Sequence, residues 1–64
     1  MDELIQELIT DYRASRITWH DIQDIVEGQL MIRAGGGKAY SKIPLKQRIE
    51  EENKILEEIE RGIQ

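Results

Sequence analysis

The start of a helix is encoded twice between residues 17 and 22. Thr18 lies three residues before Asp21, and at this spacing each side chain accepts a hydrogen bond from the other residue's backbone, forming a capping box. Ile17 and Ile22 have the spacing of the hydrophobic staple that packs across such a start. Together the two signals place the first helical residue at Trp19, so the residues before Ile17 belong to a separate element.

That earlier element is an amphipathic helix, predicted from Glu3 to Ala14 with Asp2 as its N-cap. Its apolar residues recur at i, i+1, i+4, i+5 and i+8, which is the spacing of one helix face. They are Leu4, Ile5, Leu8, Ile9 and Tyr12. With a short connection at residues 15–17, this pattern predicts that residues 1–33 form a helical hairpin.

The end of the second helix is open to two interpretations. Its apolar face continues through Val26 to Leu30, while Gly28 weakens a helix by about 1 kcal/mol relative to alanine. The helix therefore ends at Gly28 or continues to Arg33. Residues 34–43 are then a glycine-rich basic loop, and a short β-hairpin over residues 30–43 is the alternative.

A third amphipathic helix is predicted to begin at Pro44 or Leu45 and to run to about Arg61, with Gly62 as its terminator. Its apolar residues fall on heptad positions a and d, and Glu52 interrupts this seam once. We predict self-association through Leu45, Ile49, Leu56, Ile59 and Ile63. The chain is thus expected to be all-α, with a helical hairpin, a basic loop and a coiled-coil-like C-terminal helix.

The chain has 64 residues, no cysteine and one histidine. A core of this size contributes little net stability, and neither disulfides nor a zinc site can supplement it. Association is the remaining solution, so we expect a single small helical domain that forms a homo-oligomer, with a dimer favoured. We expect no metal, no cofactor and no membrane segment. The absence of cysteine and of a signal-like N-terminus favours a cytoplasmic protein.

The basic residues are concentrated in the middle of an acidic chain. The formal net charge is −4, yet residues 28–48 contain five basic residues and no acidic one. These residues are Arg33, Lys38, Lys42, Lys46 and Arg48. They are candidates for contact with an anion or with nucleic acid. The run Gly35–Lys38 lacks the spacing of a phosphate-binding P-loop, and a turn between helices is the simpler interpretation.

Two classes of function remain after this survey. No serine, cysteine or acid forms a catalytic arrangement with His20, so we do not expect an enzyme. Trp19, Met31 and Ile32 add apolar surface that suits binding of a partner protein. A small protein-interaction module is therefore expected. The alternative is a small dimeric helix-turn-helix DNA-binding protein that places residues 33–48 on phosphates, although the second helix offers acids where such proteins carry basic side chains.

Residues 7–26 resemble the helical hairpin of SinI-type anti-repressors. The matching positions are Glu7, Leu8, Ile9, Arg13, Ile17, Thr18, Asp21, Ile22, Ile25 and Val26. Trp19 stands where proline is common in that family, and the basic loop and third helix have no counterpart in it. The resemblance implies a hairpin that dimerises, or exchanges into a partner dimer, to control a DNA-binding protein. It favours a regulator or inhibitor such as an anti-repressor or a phage-type adaptor.

Overall fold

The computed structural model describes residues 2–64, and all of its regular structure is helical. Four helices follow one another along the chain: α1 (Asp2–Arg13), α2 (Trp19–Ala34), α3 (Gly37–Ser41) and α4 (Leu45–Ile63). None of these residues forms a β-strand, so the predicted all-α class is confirmed. The molecule is elongated, measuring 36 × 19 × 17 Å.

The turn between α1 and α2 has the predicted geometry. The Thr18 hydroxyl accepts the backbone N–H of Asp21 at 3.2 Å, and the Asp21 carboxylate accepts the backbone N–H of Thr18 at 3.0 Å. Both bonds of the capping box are therefore present. Ser15 adopts a left-handed conformation (φ 60°), which reverses the chain before α2. Asp2 lies inside α1 rather than in front of it.

Helix α2 continues past Gly28 and ends at the glycine run. Gly35 has a φ of 102°, and its N–H donates to the carbonyl of Ile32. The next N–H, from Gly36, donates to the carbonyl of Met31 at 2.8 Å. This pair of bonds is a Schellman motif, which needs a left-handed residue after the last helical turn. Gly36 also has a positive φ, of 119°, which residues with side chains rarely adopt.

The glycines therefore join two helices. The expectation that the second helix continues to Arg33 is confirmed, because α2 ends at Ala34. The β-hairpin over residues 30–43 and the loop over residues 34–43 are both wrong, because residues 30–34 complete α2 and Gly37–Ser41 form α3. The short helix is held by Tyr40, whose side chain is buried in the core. Burial of one large aromatic residue compensates for the low helix propensity of this glycine-rich stretch.

The core lies where α4 packs against both α1 and α2. Nine side chains are buried there: Ile5, Leu8, Ile9, Ile22, Val26, Leu30, Tyr40, Ile55 and Ile59. Of these, Ile22, Val26 and Ile59 are completely inaccessible to solvent. The third predicted helix thus folds onto the first two within the same chain, which the sequence had left open.

Gly62 does not end α4, contrary to the prediction. The helix continues to Ile63, and Gly62 instead faces α1. A Cβ atom built at Gly62 collides with Cδ1 of Ile9 and lies 3.2 Å from its Cγ1. The missing side chain therefore lets α4 approach α1 closely beside a buried isoleucine.

Candidate functional site

The predicted self-association residues of α4 separate into two groups. Ile59 is completely buried in the chain's own core and offers no surface to a second copy. The other four, which we call the α4 stripe, are Leu45, Ile49, Leu56 and Ile63. Along this stripe Leu45 is 62% exposed and Ile49 47% exposed, while Leu56 and Ile63 are half-buried against the core. The N-terminal end of the stripe is therefore an uncovered apolar surface.

The three predicted partner-binding residues lie at different depths. Trp19 is half-buried and its ring meets that of Tyr12 edge to face, with 6.2 Å between centroids. The methyl group of Met31 points toward Gly37, and this side chain is also half-buried. Only Ile32, at 70% exposure, is fully presented to solvent. The structure thus assigns Trp19 and Met31 mainly to packing and leaves Ile32 available for contact.

Ile32 belongs to an apolar line on the outer side of α2. Ile25 and Gly28 precede it by seven and four residues, so the three share one helix face. Ile25 is half-buried and packs against the edge of the core, whereas nothing lies within 4 Å of a Cβ built at Gly28. We call these three residues the α2 outer face. Packing inside the chain does not require a glycine at position 28, so a binding partner is one explanation for it.

Two of the five basic residues line a single groove between α2, α3 and α4. Arg33 and Arg48 border this groove, whose volume is about 220 Å³, and its apolar wall includes Tyr40 and Ile43. The Arg48 guanidinium lies over the Tyr40 ring, 5.5 Å from the centroid, and its Nε donates to the carbonyl of Ile43 at 3.0 Å. Arg48 therefore also fastens α3 to the start of α4. The remaining three, Lys38, Lys42 and Lys46, are exposed.

The carboxylates of Glu27 on α2 and Glu52 on α4 influence each other and Tyr40 electrostatically. Burial raises the pKa of Glu52, and the charge of Glu27 on α2 raises it further. Burial also raises the pKa of Tyr40, with smaller contributions from the same two glutamates. Glu52, which interrupts the predicted heptad seam, is thus the one acid of α4 drawn partly into the structure.

A second groove lies at the opposite end of α4. Tyr12 and Trp19 line it together with Glu60, Ile63 and Gln64, and its volume is about 240 Å³. The contact between Tyr12 and Trp19 forms one wall, so the tryptophan both packs and borders an open surface.

Sequence reasoning did not foresee two of these features. The pairing of Tyr40 with Arg48 was missed because residues 34–43 were taken as a loop, and no local spacing rule links residues of two different helices. The α2 outer face was missed because Gly28 was considered only as a helix-weakening residue. In both cases the missing information was which side of the helix faces the core.

Comparisons with protein-family models, with curated protein sequences and with solved structures found no match to this chain. Among residues 2–64, none of the helices combines the length and the apolar character needed to cross a lipid bilayer. The surfaces described above are therefore interpreted from their own geometry and chemistry.

Proposed function

We propose that this chain is a small non-catalytic protein-binding module that acts as a regulator or inhibitor. The observation that carries the proposal is the exposure of Ile32, Leu45 and Ile49 in a protein whose buried core has nine residues. Contiguous exposed apolar patches are typical of surfaces that bind another protein, and Leu45 and Ile49 lie one helical turn apart in such a patch. The resemblance of residues 7–26 to SinI-type hairpins favours an anti-repressor, and a phage-type adaptor is the related alternative.

The α2 outer face is the surface we assign to the foreign partner. Gly28 leaves room for the backbone of another helix to approach closely, and Ile25 and Ile32 flank that position. A glycine at an accessible helix position weakens the free protein, so its presence is accounted for if a partner packs there.

The test is affinity capture of binding proteins with matched variants. Wild-type protein and Ile32→Lys, Gly28→Leu and Glu58→Lys variants are compared as baits, after circular dichroism confirms that each is folded. We expect a specific binding protein that is retained by wild type and by Glu58→Lys but lost with Ile32→Lys and with Gly28→Leu. Identical recovery by all four baits would refute the assignment of the α2 outer face.

DNA binding remains the second candidate, and one observation favours it. Arg33 and Arg48 border the same groove, and Lys38, Lys42 and Lys46 are exposed nearby in the chain. Such a protein binds labelled duplex DNA at low salt, and binding weakens steeply as salt is raised. Fluorescence anisotropy with wild type, Lys38→Ala and Lys42→Ala distinguishes the candidates. Absence of binding at low salt would exclude the DNA-binding function.

A further inference from the structure

The uncovered end of the α4 stripe has the properties of an interface between two copies of this chain. Leu45, Ile49, Glu52 and Leu56 follow heptad spacing, so they lie along one side of α4 beside its core-facing side. Leu45 and Ile49 are exposed, while Glu52 and Leu56 are half-buried against the rest of the chain. A second helix laid along this line covers the two exposed side chains and completes the burial of the other two.

The charges along α4 indicate which occupant fits. Lys46 and Arg48 in the first turn of α4, and Lys42 just before it, are basic with no acid among them, and acids predominate from residue 50 onward. The helix therefore has a basic beginning and an acidic remainder. A second copy running in the opposite direction places the basic part of each α4 against the acidic part of the other.

Two of these charges lie close to the stripe and have no partner in their own chain. Within residues 2–64, the ion pairs closer than 4 Å are Arg16 with Asp11 and His20 with Asp24. Lys46 is exposed, and Glu52 is half-buried beside the like-charged Glu27. Each is therefore available to an opposite charge brought by a second molecule.

We infer that the protein forms an antiparallel homodimer in which two α4 helices pack through this stripe. In this arrangement Leu45 of each copy meets Leu56 of the other, and Ile49 meets Glu52. Glu52 of the second copy then lies one helical turn from Lys46, within reach of its long side chain. Twofold symmetry makes the contact between Lys46 and Glu52 twice.

A parallel dimer is disfavoured by the same charges. In a parallel, in-register pair the seam residues face their own counterparts, so Glu52 meets Glu52, while the two Lys46 side chains lie on opposite flanks of the seam. Two partly buried carboxylates then repel each other in the middle of the seam. The antiparallel arrangement replaces this repulsion with an attraction between each Glu52 and a Lys46. The homodimer is independent of the proposed function, because it forms through α4 whether or not a foreign partner is bound to α2.

The decisive measurement is sedimentation equilibrium from micromolar to millimolar protein with charge-exchanged variants. We expect Lys46→Glu and Glu52→Lys each to weaken the dimer by about tenfold, because each creates two like-charged contacts. The double variant Lys46→Glu with Glu52→Lys restores the attraction and returns the dissociation constant to within about threefold of wild type. Circular dichroism shows that every variant keeps its helices.

Three further variants test the apolar seam and the orientation. Ile49→Asp abolishes the dimer without unfolding the chain, since Ile49 is exposed, whereas Ile32→Asp on α2 leaves the dimer unchanged. Glu52→Gln weakens an antiparallel dimer, because it removes the attraction to Lys46, and strengthens a parallel one, because it removes the repulsion between the two Glu52 carboxylates. A monomer at every concentration, a dimer that resists Ile49→Asp, a dimer that the double variant does not restore, or a tighter dimer with Glu52→Gln would each overturn the inference.

Discussion

At the scale of single residues, two helical glycines have opposite surroundings. Gly28 in α2 faces open space, since no atom lies within 4 Å of a Cβ built there. Gly62 in α4 faces Ile9, and a Cβ at this position collides with that side chain. Making the same substitution at both sites therefore separates the contribution of helix propensity to stability from the contribution of packing.

We expect Gly28→Ala to raise the free energy of unfolding by about 1 kcal/mol, because alanine is the better helix former and meets no neighbour. Gly62→Ala is expected to lower it by about 1 kcal/mol, because overpacking against buried Ile9 exceeds the gain in propensity. Urea denaturation followed by circular dichroism measures both changes. Combining Gly62→Ala with Ile9→Val removes the colliding methyl group, and a double variant less stable than Gly62→Ala alone would contradict this explanation.

The isoleucines of α4 are also distinguished by position. Ile59 is completely buried and Ile49 is 47% exposed, although both lie on the predicted heptad seam. Ile59→Ala is expected to cost about 2–5 kcal/mol, which is comparable to the whole stability of so small a domain. Ile49→Ala is expected to change stability by about 0.5 kcal/mol at most in dilute solution. Thermal unfolding of the two variants tests the contrast, and equal losses would show that the core is placed wrongly.

At the scale of elements, the start of α2 depends on the reciprocal bonds between Thr18 and Asp21. Thr18→Ala removes the hydroxyl acceptor at the N-cap and is expected to lower stability by about 1 kcal/mol. Thr18→Ser retains the acceptor and is the matched control. Urea denaturation at neutral pH measures the difference, and equal stabilities for the alanine and serine variants would argue against a role for the cap.

The same cap predicts a dependence on pH. The hydrogen bond from the Thr18 backbone lowers the pKa of Asp21 below its ordinary value of 3.8. The folded chain therefore favours the charged carboxylate, and its stabilising effect is complete above pH 3.8 and is lost as pH falls through the lowered value. Asp21→Asn is expected to remove this part of the acid sensitivity. Unfolding curves for both proteins across the acid range should converge at low pH, and parallel curves would count against the assignment.

At the scale of the whole molecule, the packing of α2 against α4 brings two acids together. Burial, and then the charge of Glu27, raise the pKa of Glu52. The folded state therefore holds a proton at Glu52 more readily than the unfolded chain does, so stability increases as pH falls through the raised value. Because Glu52 is only partly buried, solvent screens these interactions, and the effect at neutral pH is expected to be only a few tenths of a kcal/mol.

We therefore expect Glu52→Gln to raise the unfolding temperature slightly at neutral pH and to reduce the gain seen on mild acidification. Glu58→Gln, an exposed acid on the same helix, is the control and should change neither. The measurement is thermal unfolding in dilute solution, below the concentrations at which sedimentation detects association. A loss of stability with Glu52→Gln would show that the carboxylate makes a favourable contact within its own chain.

Local patterns predicted the elements themselves. The capping box and staple placed the start of α2 to the residue, because the groups that form them are at most five positions apart in the chain. The apolar spacing of α1 and the long helix after Pro44 follow from helical periodicity in the same way. The exposed basic residues and the uncovered Ile32 were also readable as surface candidates, since each depends on residue type more than on long-range contacts.

Only the tertiary structure decided which apolar side chains of each helix are buried and which helix they pack against. From the sequence, Gly62 was predicted to end the helix, but in the fold it lies against α1. Ile59 was predicted to lie in an interface between copies, but in the fold it is completely buried. Helix α3 forms because the side chain of Tyr40 is buried in the core. The low helix propensity of the three glycines before it gave no indication of this helix. Periodicity identifies the apolar side of a helix, but only the positions of the other helices determine which apolar residues are buried within the chain and which remain exposed.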